Sequence, residues 1–385
     1  MKVMFYVQHL LGIGHLVRAS RIAAALVSDG QDVTMVTGGM AVDGFPAAQV
    51  ANVRLPPLRS ADDSFSGLAD EHGREAGEVY LTRRKDALIN AFDEIEPDCL
   101  IVEAFPFARR QMRFELLPLL DHVKALPSGS RPMVVSSIRD ILQPKSAQRD
   151  VATARLVQDY FDLVLVHGDR RFASLDETFS AARSIAGKTA YTGMIAPDDV
   201  EPAIADRYDV IVSAGGGAVG EDLLRAGVAA RELTSLSTAR WLIVTGPNLP
   251  DEAVSRLQAK ASDNVEIVRF RPDLARLLRQ AKLSVSQAGY NTVADVLRAQ
   301  CASVLVPFAA HGEQEQTIRA TRLAAAGLAV SIQASDLSPA NLARAIDAAC
   351  RQKRDYAAGM PLDGAAATAG ILRQRHATFK RDRSA

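Results

Sequence analysis

Between residues 281 and 330 the chain repeats one pattern twice, and that repeat restricts its fold more than any other feature. The stretch reads AKLSVSQAGYNTVADVLRAQCASVLVPFAAHGEQEQTIRATRLAAAGLAV. An apolar run with β character at 283–286 is followed by a break at 287–289 and a helix from 291 or 292 to about 299. A second buried-type run, 301–307, closes at Pro307. A loop at 309–312 then leads into a helix over 313–326 that Gly327 stops. Short apolar runs alternating with helical periodicity are the pattern of a parallel α/β sheet.

Such sheets bind ligands at the carboxyl ends of their strands, so both loops open on the same edge. The first offers free backbone N–H groups at a helix start, where Gly289 lets an anion approach the backbone. Thr292 and Asp295 are three residues apart and share one helical face. A hydroxyl there can meet a phosphate while a carboxylate accepts two sugar hydroxyls. The second loop carries Glu313, Gln314, Glu315, Gln316 and Arg319, donors and acceptors suited to a polyhydroxylated ring. A plainer reading stands beside this one: a turn with its N-cap, then a solvated first turn that suits the helix dipole. Two acid-bearing polar loops at successive strand ends favour ligand binding.

This segment resembles the C-terminal domain of the MurG-like glycosyltransferases (family 28). The resemblance rests on Gly289, Tyr290, Asn291, Thr292, Val293, Ala294 and Asp295, which follow the family's Gly-x-x-Thr-x-x-(Glu/Asp) helix start. It rests also on Glu315-Gln316, which falls where MurG has a Gln pair. The resemblance implies that Asp295 holds the ribose hydroxyls, that Thr292 contacts phosphate, and that His311, Gly312, Glu313, Glu315, Gln316 and Arg319 belong to the donor-sugar side. Asp295 replaces a Glu of MurG and Arg319 an Asn, which leaves the sugar open. The fold implied is α/β of the GT-B type, two Rossmann-like parallel-sheet domains facing across a cleft.

A chain of 385 residues has room for two such domains. Its formal net charge is zero, so no global basic field points to nucleic acid. Cys99, Cys301 and Cys350 are too widely spaced for a metal pattern or a disulfide framework and read as reduced residues of a cytoplasmic protein. The apolar start is too short for a signal segment, and no run approaches the length of a membrane span.

From the beginning, a strand at 3–7 leads through Gly12-Ile-Gly14-His15 into a helix at 16–28 and a strand at 32–37. A lone Gly-x-Gly is not the dinucleotide fingerprint, and Thr37-Gly38-Gly39 stands where a ribose-binding acid would end the second strand, which argues against NAD. His15 heads a helix whose positive end lowers its pKa, leaving a neutral imidazole able to accept a proton; a mere cap is the alternative. Arg18, one turn on, can meet a phosphate. MurG-like enzymes carry a Gly-Gly-His in this loop, with the His facing the reaction centre. The form GxGHxxR also resembles a UDP-sugar hydrolase of pseudaminic acid synthesis.

Residues 45–74 read as irregular and 74–95 as a helix. Glu103 ends a strand at 99–102, either facing an acceptor or lying in solvent. Arg109, Arg110 and Arg113 open a helix at 108–126 and oppose its dipole, as a solvated face or for an anionic or lipid-phosphate partner. Strands at 133–138, 163–167 and 189–192 follow, then a linker at 195–205. A strand at 210–213 opens the second sheet and runs into Gly215, Gly216 and Gly217, which suit a backbone nest for a diphosphate. Strands at 241–245 and 265–270 follow; the resemblance puts the base against the backbone beside Phe270 and Arg271. The organisation expected is 1–196 for the acceptor, 197–365 for the nucleotide sugar and 366–385 as a helix crossing back to the first domain.

The activity expected is transfer of a hexose or N-acetylhexosamine from a UDP-linked donor to an acceptor hydroxyl. His15 is the first candidate base and Glu103 the second. Gly14, Arg18, the glycine turn and the helix at Thr292 would stabilise the leaving diphosphate. No Asp-x-Asp metal site is evident, so no metal or other cofactor is expected; the resemblance implies inversion. The alternatives are the hydrolase and a non-catalytic sugar-nucleotide-binding protein. The partners expected are the donor and a lipid-linked or small-molecule acceptor, with no nucleic acid and with possible contact at the inner face of the membrane.

Overall fold

The computed structural model describes residues 1–10, 12–61, 67–198, 206–215, 220–246, 248–309, 312–355 and 360–384. The chain divides into two compact units, Met1–Ile195 with Asp363–Ala385, and Ala196–Leu362.

The N-terminal unit holds β1 (Lys2–Val7), β2 (Asp32–Thr37), β3 (Ala51–Arg54), β4 (Arg59–Ser60), β5 (Leu68–Ala69), β6 (Cys99–Glu103), β7 (Met133–Arg139), β8 (Leu163–His167) and β9 (Thr189–Tyr191). Its helices are α1 (Gly14–Ser28), α2 (Glu78–Ile95), α3 (Arg113–Ala125) and α4 (Ala147–Tyr160). Seven strands pair in parallel in the order β3-β2-β1-β6-β7-β8-β9. Helices cover both faces of such a sheet, so its strands are continuous apolar runs; Val3 to Val7 and Cys99 to Val102 are fully buried. Helix α1 buries Leu16, Ala19, Ile22, Ala23 and Leu26, spaced three and four apart along one face. It ends in a Schellman turn: Gly30 (φ 81°) donates to Val27 and Gln31 donates to Leu26.

One feature departs from the sequence expectation. The stretch read as irregular contains β3, a parallel edge strand on β2, and the β4–β5 antiparallel pair. Arg84 of α2 is fully buried. Its guanidinium bonds Glu115 of α3 (2.6 and 3.0 Å), the Gly38 carbonyl (2.8 Å), the Pro56 carbonyl and Gln8 Oε1 (2.6 Å), and Tyr6 donates to the same Glu115. A Cβ on Gly38 would lie 2.1 Å from Arg84 Nη2, so any larger residue there would have to displace the guanidinium. This network ties together the segments that follow β1, β2 and β3.

The C-terminal unit holds β10 (Val210–Ser213), β11 (Trp241–Val244), β12 (Val265–Val268), β13 (Leu283–Ser286), β14 (Ala302–Leu305) and β15 (Val330–Ser331). Its helices are α5 (Glu221–Ala230), α6 (Asp251–Gln258), α7 (Leu274–Gln280), α8 (Tyr290–Ala299), α9 (Glu315–Ala325) and α10 (Pro339–Arg351). The strands run in parallel in the order β12-β11-β10-β13-β14-β15. The short edge strand β15 and helix α6 carry too few apolar residues to stand out in the sequence. The last helix, α11 (Gly364–Ser384), belongs to the N-terminal unit and packs on α1, with Arg373 on Asp29 (3.0 Å) and Lys380 on Asp98 (3.3 Å).

In each sheet the strand order reverses direction once, between β1 and β6 in the first and between β10 and β13 in the second. At such a reversal the loops leaving the two central strands part and open a crevice at the carboxyl edge, where open α/β sheets bind ligands.

Candidate active site

At the reversal in the N-terminal sheet, α1 brings His15 to the end of β6. His15 Nδ1 lies 2.9 Å from Glu103 Oε1, and Arg18 donates to the same carboxylate oxygen. Glu103 and Arg18 are buried, while the imidazole keeps 20 % of its side chain exposed. Ser137 of β7, the register partner of Glu103, donates to Glu103 Oε2 at 2.6 Å. Ala104, next in the chain, has a left-handed backbone (φ 66°) and donates to the Ser137 carbonyl, so the strand turns sharply just past the carboxylate.

Burial opposes ionisation of Glu103, but Arg18 and then His15 outweigh it and hold the carboxyl down at about 2. Burial pushes His15 down to about 3, helped by the positive charge of Arg109. The imidazole is therefore neutral at physiological pH, as the sequence suggested, though burial rather than the helix end is the main cause. With Nδ1 turned to a carboxylate, a neutral ring carries its proton there and keeps Nε2 as a base.

Glu103 does not face solvent or an acceptor as a second base. Its oxygens are engaged by His15, Arg18 and Ser137, so it orients the imidazole instead. Arg18 likewise lies against Glu103 rather than open to a phosphate. Gly14 is the first residue of α1. Arg109 is not part of a solvated face: it is half-buried, donates to the Gln8 carbonyl at 3.1 Å, and is pushed down to about 10 by burial and by Arg139.

At the reversal in the C-terminal sheet, Gly289 caps α8 without a side chain, and the first turn of that helix holds no acid. Nothing lies within 4 Å of where a Gly289 Cβ would stand. Asn291, Thr292 and Asp295 are half-buried on this helix. From the opposite side comes the loop after β10, with Gly215 at φ 74°. The Gln287 side chain lies between the two loops: a Cβ on Gly215 would be 3.6 Å from its Oε1, and one on Gly220 3.3 Å from its Nε2. Gln287 was not singled out in the sequence; a polar residue directly after a buried strand at a reversal is the signal that marks it. Gly216, Gly217 and His311 lie outside the described residues.

The helix start at 313–319 departs from expectation. Glu315 and Arg319 are buried and paired with each other at 2.6 Å, Arg319 also donates to the Ala288 carbonyl at 3.2 Å, and its guanidinium lies over the Tyr290 ring. Neither side chain is offered to a sugar. Gln316 Oε1 accepts from the Ala288 and Phe308 backbones at 3.0 and 3.1 Å, which joins the loops after β13 and β14. Glu313 remains half-buried and Gly312 exposed at the head of α9. Phe270 is 46 % exposed just beyond β12. Arg271 beside it is held by Asp273 (2.8 Å) and Asp206 (3.2 Å), which push its pKa up. Among the described residues, no group of three or more His, Cys, Asp and Glu is placed to hold a metal ion.

Residues 199–369 match the model of the glycosyltransferase family 28 C-terminal domain. Over 319 residues the chain is 26% identical to the UDP-N-acetylglucosamine–N-acetylmuramyl-(pentapeptide) pyrophosphoryl-undecaprenol N-acetylglucosamine transferase of Vibrio atlanticus (strain LGP32), covering 80% of this chain and 86% of that protein. Three relatives of the same name that are 31% identical are matched over only 30% to 43% of their own length. Among solved structures, Acinetobacter baumannii MurG superposes with a TM-score of 0.53 at 17% identity, over 97% of this chain and 95% of that one. The calicheamicin glycosyltransferase CalG4 does so with a TM-score of 0.58 at 17% identity, over 99% and 93%. The second half of the chain is thus a glycosyltransferase family 28 C-terminal domain, and the chain as a whole has two parallel sheets in the GT-B architecture and is similar to the MurG-like glycosyltransferases.

Proposed function

We propose that the chain moves a hexose or N-acetylhexosamine from a UDP-linked donor to an acceptor hydroxyl, in a single inverting displacement that needs no metal ion. The reading rests on the His15–Glu103 pair, a neutral imidazole backed by a buried ionised carboxylate at the crevice of the N-terminal sheet. His15 Nε2 takes the proton of the acceptor hydroxyl as its oxygen attacks the anomeric carbon, and Glu103 stabilises the imidazolium that forms. The C–O bond to the diphosphate breaks as the new glycosidic bond forms, and the leaving charge falls on the diphosphate.

In the C-terminal unit the start of α8, where Gly289 supplies no side-chain cap, turns the positive end of its dipole to that diphosphate, which removes the need for a cation. Asp295 accepts the ribose hydroxyls, Thr292 contacts phosphate, and the exposed Phe270 ring marks the edge where the base lies. The acceptor class suggested by the relatives' names is a lipid-linked diphosphate sugar, which would bring the protein to the inner face of the membrane. No described helix is long and apolar enough to cross one. The hydrolase reading is not favoured, because the relatives are named as transferases.

The test is a screen of UDP-, dTDP- and GDP-sugars for nucleoside diphosphate release, with and without lipid-linked and soluble acceptors, in buffer containing EDTA. Acceptor-dependent release of UDP is expected. Release that is independent of any acceptor, or that EDTA abolishes, would overturn the reading.

A further inference from the structure

Behind Glu103 the carboxyl edge of the N-terminal sheet carries a buried polar row, with one residue in each of β6, β7 and β8 and a fourth just after β9. Glu103 ends β6, Ser137 lies opposite it in β7, His167 ends β8, and Thr192 follows β9. Their exposures are 1, 1, 0 and 5 %. Ser137 Oγ is 2.6 Å from Glu103 Oε2 and 2.9 Å from His167 Nε2; His167 Nδ1 is 2.9 Å from Thr192 Oγ1, which is 2.8 Å from the Gly193 carbonyl. Apolar side chains would fill these positions at less cost, since every buried polar group here must find a partner.

Glu103 fixes the direction of the row. An ionised carboxylate only accepts, so the single hydroxyl proton of Ser137 goes to Glu103. Ser137 Oγ can then only accept from His167, which places the His167 proton on Nε2. Nδ1 of that ring is left to accept the single hydroxyl proton of Thr192, which is then withdrawn from the Gly193 carbonyl; a neutral carbonyl losing that partner costs less than an ionised carboxylate losing Ser137. Were the His167 proton on Nδ1, Ser137 would donate to the ring, and Glu103 Oε2 would lose its partner.

We propose that His167, acting through Ser137, is a positioning residue for the His15–Glu103 pair. By donating to Ser137 it commits the serine proton to Glu103 Oε2, which turns Oε1 toward His15 Nδ1 and keeps Nε2 of His15 free for the acceptor. This rests on the reading of His15 as the base. The charged groups facing His167 are Arg18 and Glu103; those facing His15 are Arg109, Arg18 and Glu103.

The test uses full-length Ser137→Ala, His167→Leu, the double variant and His167→Gln, each checked for folding by circular dichroism and thermal melting. Each single loss should lower kcat by roughly 10- to 100-fold, the scale on which outer partners of a functional group act, with the donor KM within about twofold. The double variant should be no slower than Ser137→Ala, because His167 acts only through the serine. His167→Gln, whose amide can still donate, should recover most of the rate. Single variants at the parent rate, or losses that multiply in the double variant, overturn the proposal.

A second measurement needs no turnover. In protein labelled with 15N-histidine, NMR should show His167 protonated on Nε2 and His15 on Nδ1, and Ser137→Ala should shift the His15 signals. A His167 proton on Nδ1, or His15 signals unmoved in Ser137→Ala, overturns the proposal even for a folded variant without activity. A parent enzyme inactive with every donor, yet showing both tautomers, would overturn the proposed function and leave the row standing.

Discussion

His15 Nδ1 and Glu103 Oε1 are 2.9 Å apart, although 88 residues separate them in the chain. The contact arises because β1 and β6 are neighbours at the reversal of the sheet, so the helix after one meets the end of the other. Replacing His15 by Ala removes the base, and replacing Glu103 by Gln keeps the volume but removes the charge that stabilises the imidazolium. Both should lower kcat by roughly 10²- to 10⁴-fold. UDP affinity measured by calorimetry should stay within twofold, since neither residue belongs to the C-terminal unit. An unchanged kcat in His15→Ala would remove it from the mechanism.

The same burial makes stability depend on pH in a definite direction. His15 and His167 are both held at about 3 when folded, against about 6.5 in an unfolded chain. Below pH 6.5 the unfolded state binds more protons, so stability falls as pH falls, by roughly 1.4 kcal/mol per pH unit for each histidine. Glu103 is held at about 2, so its contribution is present above about 4.5 and is lost only as pH drops from there towards 2. Between pH 6.5 and 4.5 the two histidines therefore act ahead of Glu103. Urea midpoints across that range should fall with pH, and His167→Leu should reduce the slope by about half. Over pH 6 to 8, kcat should show no step from His15.

The alternation of apolar runs with helical periodicity was enough to read both parallel sheets, because strands buried on two faces leave long apolar runs such as Val3 to Val7. The edge strand β3 was not legible: Ala51, Asn52, Val53 and Arg54 show no apolar pattern, and pairing with β2 alone makes them a strand. His15 and Glu103 could be named from their positions at strand ends, but their contact could not, since it depends on strand order. The same limit hid Ser137 and His167, which gain meaning only when β6, β7 and β8 lie side by side. It also misplaced Glu315 and Arg319. A polar helix start looks the same in sequence whether it faces a ligand or is folded against the neighbouring loop, and here Ala288 and Tyr290 take the guanidinium.

The buried pair of Arg84 and Glu115 should behave as a unit. Arg84→Met leaves the Glu115 charge buried with Tyr6 as its one remaining side-chain partner among the described residues, and takes a donor from the Gly38 and Pro56 carbonyls. Breaking one side of such a pair costs roughly 3–5 kcal/mol. Replacing both residues together, Arg84→Met with Glu115→Leu, removes the stranded charge and should recover much of the loss. Urea denaturation of the two variants checks this; a double variant no more stable than Arg84→Met would show that the carbonyl contacts matter more than the ion pair.

Donor binding in the C-terminal unit should separate into residues that touch the ligand and residues that hold the loops. Asp295 is half-buried on α8, so Asp295→Ala should weaken UDP binding by roughly 10- to 100-fold, about 1.4–2.8 kcal/mol, with a smaller loss of melting temperature than Arg319→Met. Gln316→Leu removes the one acceptor that the Ala288 and Phe308 N–H groups share. Each lost partner costs roughly 1–3 kcal/mol where the group is fully buried. Its melting temperature should therefore fall, and UDP affinity should fall with it as the loop before Gly289 loosens. Arg319→Met breaks a buried pair and should destabilise more than Gln316→Leu. Calorimetry with UDP beside thermal melts distinguishes the two classes. If Arg319→Met kept its melting temperature and lost only UDP affinity, Arg319 would be a ligand-contacting residue after all, and the guanidinium would have to leave Glu315 when the donor binds.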